Sequence, residues 1–484
     1  MVTADPYRDP AARRAYLDQE ARLRALPDID RDLVRLGQQP GLNRWLDQIR
    51  ATGGCAAPIY LAGQSVTTDA TTGEVLHSYS TDGEPGSRLA VRCRNRRASR
   101  CQPCSREHAG DTFHLVRAGL VGGKGVPDEV RTHPRLFATL TAPSFGSVHR
   151  AGACHPVRRR RCQHGSPQGC GRFHDGSDLA VGQPLCPDCY DYTAHILWNA
   201  HGPALWKAFR DNLYHHLAAR AGVGRSTVRK LLRVSAAKVT EYQKRGVVHF
   251  HAVIRLDGPT GPDSSPPAWA TSSTLLGAVP SAAAAVSLTA PISAAYGTIP
   301  LRFGTQLEAH ELTIHLGRRL TDEAVAAYIA KYTSKSVESA GAVDHRINSL
   351  ADFETLPVTP HVRALIGTAW RLGSLPELHQ LRLRAWAHML GYRGHCLTKT
   401  RAFSATYTDL RAARADHTRG QQLFADWDSE TVTESTWRYV GQGHTPAEQL
   451  IAAGIAEDLA VNRNVTRDER RHDDHGSWHR AEQP

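Results

Sequence analysis

The sequence predicts an α+β protein with zinc-ribbon-like modules and a helical C-terminal region. Apolar and polar side chains alternate with a period of two over residues 247–254, which is typical of a β-strand. Helical patterns cover Tyr190–Ala221 and Leu320–Lys335, and further helices are predicted at His361–Leu375 and Glu377–Leu390. Nine of the ten cysteines lie within the first 190 residues, in two clusters with the short spacings of metal ligands.

The size and charge of the chain limit the possible functions. A chain of 484 residues is too long for one compact core and indicates two or three domains. The net charge of +12 favours an anionic partner, and Lys is the informative cation because it makes up only eight of the 59 basic residues. No apolar stretch approaches the roughly 20 residues of a membrane span, and the N-terminus does not look like a signal peptide. We therefore expect a cytoplasmic protein without a membrane partner.

A glycine-rich loop at Gly122–Gly125 suggests a phosphate loop only superficially. It has neither the spacing of a nucleotide-binding P-loop nor the Lys-Ser/Thr pair that ends one. We therefore expect no nucleotide cofactor.

The stretch from Val239 to Ile254 predicts a β-hairpin with a metal site. Residues 244–246, Lys-Arg-Gly, fit a three-residue loop with Gly in the left-handed position. That loop sets a register in which Glu241 lies opposite His249, and the period of two places His251 on the same face. Two imidazoles and a carboxylate that converge from a rigid hairpin can bind a divalent metal. Histidines that serve only as surface or core residues are the alternative.

The helix predicted over Leu320–Lys335 begins with Thr321 as its N-cap, followed by two acidic residues that suit the positive end of a helix. One face of this helix carries residues at positions i, i+3, i+4 and i+7, namely Tyr328, Lys331, Tyr332 and Lys335. Two phenols and two ammonium groups on one face favour contact with an anionic ligand. A partly exposed stripe at the edge of the core is the alternative.

The first cysteine cluster predicts a structural zinc site. Its Cys-x-x-Cys pair suits zinc, and His108 is the substitute if the most distant cysteine is not a ligand. The predicted ligands are Cys55, Cys93, Cys101 and Cys104.

The second cluster predicts a zinc ribbon inserted between the first strand and the hairpin. Its Cys-x-x-Cys pair, Cys186 and Cys189, makes zinc the expected ion, while the first pair of ligands is open. His164 and His174 are alternatives, and Cys154 is expected to be free. The predicted ligands are Cys162, Cys170, Cys186 and Cys189. About two zinc ions per chain are expected.

Three motifs in sequence order resemble those of the HUH endonucleases. The sequence His249-Phe-His251 is similar to the metal-binding motif of that family, and Tyr328-Ile-Ala-Lys331-Tyr332 is similar to its nucleophile motif. Phe137–Thr141 resembles the first conserved strand. The two-tyrosine form is typical of rolling-circle replication initiators, and the wider sequence resembles initiators of actinomycete plasmids and integrative elements.

The resemblance implies an HUH nuclease domain with a central antiparallel sheet flanked by helices. The predicted organisation is a helical segment at residues 1–50, a first cysteine module at 51–120, a nicking and joining domain at 131–340, a helical region at 341–466 and a disordered tail at 467–484. The nuclease domain contains two insertions, the zinc ribbon at 154–190 and a low-complexity, flexible excursion at 257–300.

The resemblance also implies a reaction. Mg²⁺ or Mn²⁺ would be held by Glu241, His249 and His251, and a tyrosine would attack the scissile phosphate, leaving a 5′-phosphotyrosine and a free 3′-OH primer. The expected catalytic residues are Tyr328, which acts first, Tyr332 and Lys331. The expected DNA-binding residues are Lys335, Lys244 and Arg245.

Expected partners are double-stranded origin DNA, single-stranded DNA, and a host helicase and polymerase. An HUH transposase or relaxase would use the same chemistry and is one alternative. A non-enzymatic zinc-ribbon DNA-binding protein is the other.

Overall fold

The computed structural model describes residues 10–157, 160–312, 321–335, 337–422 and 431–478. Two compact units are present. The first combines the residues up to His108 with those from Gly420 onwards, and the second extends from Ala109 to Arg419. These limits differ from the predicted boundaries near residues 120, 340 and 466.

Both units contain helices. In chain order they are α1 (Pro10–Ala25), α2 (Asp28–Gly37), α3 (Leu42–Ala51), α4 (Gln102–Val121), α5 (Tyr192–Ala221), α6 (Arg225–Leu231), α7 (Ser272–Ala284), α8 (Asp322–Thr333), α9 (Leu350–Glu354), α10 (Pro360–Leu372), α11 (Tyr407–Gln422) and α12 (Pro446–Trp478). Across the described ranges, no helix has both the length and the apolar character that a bilayer span requires.

The strands form two main sheets and two short ribbons. In chain order they are β1 (Ile59–Asp69), β2 (Val75–Ser80), β3 (Leu89–Val91), β4 (Arg135–Leu140), β5 (Gly152–Ala153), β6 (Phe173–His174), β7 (Arg233–Tyr242), β8 (Val248–Asp257), β9 (Leu288–Thr289), β10 (Pro300–Leu301), β11 (Leu307–Glu311), β12 (Leu397–Lys399) and β13 (Thr431–Gln442).

The first unit is built on a sheet in which β1 pairs with β2, β3 and β13. Strand β13 runs antiparallel to the whole of β1, from Ile59↔Gln442 to Asp69↔Thr431. Trp45, Ile49 and Tyr60 are buried in the small core of this unit. The region at 341–466, predicted to be helical, contains the strands β12 and β13 as well as helices, which corrects that prediction.

The second unit is built on a five-stranded antiparallel sheet in the order β11-β4-β8-β7-β12. Its side chains alternate between two faces because successive residues of a strand point to opposite sides. Leu136, Ala138 and Leu140 face the larger core, which α5, α7 and α10 cover. Phe137 and Val253 face a second core, which includes buried residues of α8. The central strand β8 and its neighbours β4 and β7 therefore lie between two helical layers.

The segment 257–300 is not the flexible excursion that its composition suggests. It contains α7 and two short strands, and α7 packs against α5. Leu275, Ala278, Val279 and Ala282 are fully buried. These residues stand at i, i+3, i+4 and i+7, so an amphipathic helical period was present within the Ala- and Ser-rich sequence.

Two other C-terminal predictions are corrected. Glu377–Leu390 does not form one helix, because the chain forms 3₁₀ turns at Pro376–Leu381 and Ala387–Met389, each followed by a residue with a φ of 50°. Helix α12 continues to Trp478, so most of the tail predicted to be disordered from residue 467 is helical. Residues 479–484 lie outside the described residues.

Candidate active site

The hairpin of β7 and β8 presents the three predicted metal ligands. Residues 244–246 form its loop, where Gly246 has a φ of 84°, and the backbone N–H of Gln243 donates to the carbonyl of Val247 over 2.9 Å. Glu241 lies opposite His249 in the ladder. The predicted register is confirmed, and both side chains lie on the face that also carries His251.

Three donor atoms of this hairpin converge on one point. Oε2 of Glu241 lies 3.0 Å from Nε2 of His249 and 3.0 Å from Nε2 of His251, and the two nitrogens are 3.1 Å apart. Octahedral coordination at about 2.1 Å places neighbouring ligand atoms roughly 3.0 Å apart. The spacing of the three donors therefore fits one face of such a coordination sphere.

The protonation states also suit a cation. Burial raises the pKa of Glu241, but hydrogen bonds with His249 and His251 outweigh it and lower the pKa to about 2. Burial lowers the pKa of His251 despite the neighbouring carboxylate. Oγ1 of Thr139, on β4, lies 3.1 Å from Nδ1 of His251 and holds the ring with Nε2 directed at the site. At neutral pH the site thus offers a carboxylate and a neutral imidazole.

Helix α8 lies over this face of the sheet and is fixed at its N-terminus. Thr321 is the N-cap, as predicted, and accepts a hydrogen bond from the backbone N–H of Ala324 over 3.1 Å. Asp322 then accepts two hydrogen bonds from the guanidinium of Arg135, over 3.1 and 2.9 Å. This ion pair is buried and ties the start of α8 to β4. Leu320, the predicted start of the helix, lies outside the described residues.

The two tyrosines of α8 lie at different distances from the histidines. The hydroxyl oxygen of Tyr328 lies 3.2 Å from Nε2 of His251. The ring of Tyr332 is 4.6 Å from the ring of Tyr328 and 5.7 Å from that of His251, centroid to centroid. Burial, with a contribution from Tyr332, raises the pKa of Tyr328. Tyr328 is thus the phenol in hydrogen-bonding contact with the candidate metal ligands.

The predicted cations occupy different surroundings. Lys331 and Lys335 are exposed, and Nζ of Lys335 lies 4.6 Å from the centre of the Tyr332 ring. Lys244 is also exposed at the hairpin loop. Arg245 instead donates to Oε1 of Gln243 over 2.8 Å and to the carbonyl of Pro143 over 3.2 Å. Arg245 therefore braces the loop, whereas the three lysines are exposed side chains.

A cleft of about 710 Å³ opens beside the candidate metal site. Glu241 and His249 lie at one part of its wall, and Lys244, Lys335 and Arg150 contribute cationic groups to it. The remaining wall includes Gly182, which lies in the inserted segment 154–190, and His149, which lies just before it. A negatively charged chain in this cleft would meet Glu241, His249, Lys244 and Lys335 together.

The first cysteine cluster comes together as predicted. Sγ of Cys55 lies 3.8 Å from Sγ of Cys101 and 3.6 Å from Sγ of Cys104, and Cys93 completes the group. The predicted substitute, His108, is not part of this group. Four convergent sulfur atoms without disulfide contact are a suitable site for zinc.

The second cluster does not form the predicted four-cysteine set. Cys170 lies away from Cys162, Cys186 and Cys189, and these three group with His164. Cys170 instead groups with Cys154, which was expected to be free, and with two histidines. The two groups are His149, Cys154, Cys170 and His174, and Cys162, His164, Cys186 and Cys189. His149 was missed, although its spacing from Cys154 is one that metal ligands use.

Two supporting residues were also missed as parts of the site. Thr139 lies on β4, and its hydroxyl contacts Nδ1 of His251. Arg135 had no local signal, because its partner Asp322 lies 187 residues further along the chain.

Comparison with known proteins identifies the family. A family model described as "Replication initiator protein, pSAM2" matches residues 41–457. A "Replication initiator protein" of Streptomyces ambofaciens is 45% identical over 447 residues, which cover 90% of this chain and 95% of that protein. No solved structure matches the chain. This chain belongs to the replication initiator proteins of the pSAM2 family.

Proposed function

We propose that this protein nicks and rejoins DNA at a plasmid or integrative-element origin and so starts rolling-circle replication. One observation carries the proposal: the Tyr328 hydroxyl lies 3.2 Å from Nε2 of His251, beside the donor atoms of Glu241 and His249. A nucleophile next to a metal-ligand set is the arrangement that phosphoryl transfer through tyrosine needs. The same three motifs resemble those of the two-tyrosine HUH endonucleases.

Glu241, His249 and His251 would hold the metal, with Thr139 fixing the His251 ring. Oxygen and nitrogen donors suit Mg²⁺ or Mn²⁺; the two imidazoles favour Mn²⁺ in vitro, and abundance favours Mg²⁺ in the cell. When bound, the metal would polarise a non-bridging oxygen of the scissile phosphate.

The chain's own residues would carry the covalent steps. The phenol oxygen of Tyr328 attacks phosphorus and gives up its proton, and the bond from phosphorus to the 3′ oxygen breaks. The 5′ phosphate stays on Tyr328, and the 3′ oxygen takes up a proton to become the primer hydroxyl. The burial that raises the pKa of Tyr328 opposes ionisation, so a cationic neighbour is needed to favour the phenolate. Lys331, one turn along α8, is the proposed residue of this chain for that role.

Tyr332 would perform the second transfer. It lies one turn after Tyr328 on the same face of α8, with the two rings 4.6 Å apart. One tyrosine can therefore hold the first strand end while the other attacks at termination. A replication cycle that cuts twice has a use for such a pair.

The cleft would receive the DNA strand. Lys244 and Lys335 would neutralise phosphates along it, while Arg245 would keep the hairpin loop in place. Double-stranded origin DNA, single-stranded DNA and a host helicase and polymerase are the proposed partners. Zinc in the cysteine modules would be structural. The family match over residues 41–457 supports an initiator over a transposase, a relaxase or a zinc-ribbon protein without enzymatic activity.

The test is nicking of supercoiled plasmid DNA that carries the cognate origin. We expect conversion to open circles with Mg²⁺ or Mn²⁺, and loss of the reaction after EDTA treatment. His251→Ala removes one ligand and should abolish nicking, whereas His310→Ala, an exposed histidine on edge strand β11, should not. Nicking that persists at the same rate in His251→Ala, or in EDTA, would contradict the proposal.

A further inference from the structure

We propose that the segment from His149 to Cys189, called the inserted module below, binds two zinc ions in interleaved ligand sets. The first set is His149, Cys154, Cys170 and His174, and the second is Cys162, His164, Cys186 and Cys189. Along the chain the ligands come in four close pairs. The first and third pairs hold one ion, and the second and fourth pairs hold the other.

The first set has the spacing of a zinc tetrahedron. Zinc bonds of about 2.0–2.1 Å to nitrogen and about 2.3 Å to sulfur place the four ligand atoms roughly 3.3–3.8 Å apart. Nδ1 of His149 lies 3.2 Å from Nε2 of His174 and 3.8 Å from Sγ of Cys154. Sγ of Cys170 lies 3.3 Å from Nε2 of His174. All three distances fall at or close to the expected range.

A carboxylate supports this first set from outside. Oδ2 of Asp178 lies 2.6 Å from Nδ1 of His174. This contact fixes the ring so that Nε2 points at the other three ligands, as carboxylates commonly do for zinc-bound histidines. Nδ1 of His174 is thus held by Asp178, while its Nε2 lies beside Nδ1 of His149 and Sγ of Cys170. This arrangement suits a metal-bound histidine.

The second set has similar geometry. Nδ1 of His164 lies 3.2 Å from Sγ of Cys189 and 3.8 Å from Sγ of Cys186. All four ligand atoms of the set, including Sγ of Cys162, lie within 4.8 Å of one another. The cysteines of this set are reduced in the structure, and no disulfide competes for them.

The described part of the module has little regular secondary structure. Its regular structure includes the two-residue strands β5 and β6. Three of its large apolar residues, Val157, Phe173 and Leu179, are 76%, 79% and 81% exposed. A segment that buries so little apolar surface needs metal ligation for a defined fold. Interleaving ties the N-terminal half of the module to its C-terminal half, because each ion binds one pair of ligands from each half.

The module also builds part of the cleft wall. The backbone N–H of Gly182 donates to the carbonyl of His149 over 2.9 Å, so the chain around Gly182 is fixed next to a ligand of the first set. A β-carbon at Gly182 would lie 2.5 Å from the carbonyl group of Lys244, so the module packs closely against the hairpin loop. Loss of the first ion should therefore disturb the wall beside Lys244. The effect of that disturbance on DNA binding rests on the proposed function, whereas the two ligand sets do not depend on it.

Metal analysis of the full-length protein tests the ligand sets. We expect three zinc ions per chain, including one at the Cys55 group. X-ray absorption at the zinc edge should show an average of three sulfur and one nitrogen donor per ion, because the three groups together contain nine thiolates and three imidazoles. Two ions with sulfur donors alone would overturn the proposal, and this measurement requires no variant.

Single substitutions separate the two sets. Cys154→Ser should lower the zinc content from three to two, and so should Cys162→Ser, while the control Cys396→Ser keeps three. An unchanged zinc content in Cys154→Ser would exclude the first set. Because metal content is measured without DNA, a wild-type protein with three zinc ions that fails to nick would leave the two sets standing and reject the proposed nuclease instead.

Discussion

The hydroxyl oxygen of Tyr328 lies 3.2 Å from Nε2 of His251, whereas Tyr332 faces the same histidine ring to ring, at 5.7 Å between centroids. Both tyrosines lie on one face of α8, so the helix itself does not distinguish them. Helix α8 packs against β7, and its two phenols lie at different distances from His251. This asymmetry supports Tyr328 as the first nucleophile and Tyr332 as the second.

Replacing Thr139 with Val should weaken metal binding by about 10- to 100-fold, which is the usual effect of losing a supporting contact to a metal-bound histidine. Valine keeps the shape of the side chain but removes the oxygen 3.1 Å from Nδ1 of His251. The measurement is the Mn²⁺ concentration that gives half-maximal nicking. Thr141→Val, two residues further on, is the matched control. An unchanged Mn²⁺ requirement in Thr139→Val would show that the His251 ring is oriented by other contacts.

Replacing Asp322 with Asn should destabilise the second unit by about 3–5 kcal/mol, because the buried Arg135 guanidinium loses its charged partner. The measurement is the free energy of urea unfolding. Glu323→Gln provides the control, since Glu323 pairs with Arg117 at 3.4 Å on the surface, where a pair contributes about 1 kcal/mol or less. Equal effects of the two substitutions would mean that the buried pair does not anchor α8.

Replacing Lys238 with Met should stabilise the protein at pH 7 by an amount on the order of 3 kcal/mol. Burial lowers the pKa of Lys238 to about 8, below the value of about 10.4 in an unfolded chain. Between these two pH values the unfolded state binds more protons, so wild-type stability rises with pH and the advantage of the variant shrinks. The partners Thr240 and Tyr392 remain hydrogen-bonded to each other over 2.8 Å.

Urea unfolding at pH 7, 8.5 and 10 measures this pH dependence. Lys207→Met, at a lysine with an 81% exposed side chain, is the control and should show no comparable change with pH. A stability difference for Lys238→Met that is the same at all three pH values would contradict the assigned pKa.

The sequence was sufficient where the signal is local. Hairpin residues 244–246 determine the register, so the position of Glu241 opposite His249 follows from the loop length and the period of two. The cap Thr321 and the tyrosine face of α8 likewise depend on spacings within one helix. These local patterns place the three candidate metal ligands on the hairpin and the two tyrosines on α8.

The sequence was insufficient where a contact joins distant segments. Strand β13 has the Val, Thr, Trp and Tyr content of a strand, but its partner β1 lies more than 360 residues earlier, so no local pattern predicts the pairing. The predicted ligand set of the second cysteine cluster was wrong for a related reason. The four close pairs of ligands are visible in the sequence, but the combination of Cys170 with Cys154 is decided by the folded loop.

The identity of the residue that becomes covalently linked to DNA tests the central claim most directly. The protein is incubated with an origin oligonucleotide and Mn²⁺, digested, and the nucleotide-bearing peptide is sequenced by mass spectrometry. We predict an adduct on Tyr328 that Tyr328→Phe abolishes without loss of DNA binding. Tyr332→Phe should retain that adduct and impair strand rejoining. An adduct on Tyr332 alone would reverse the assignment of the two tyrosines, and an adduct on neither, with metal and origin DNA present, would contradict the nuclease account.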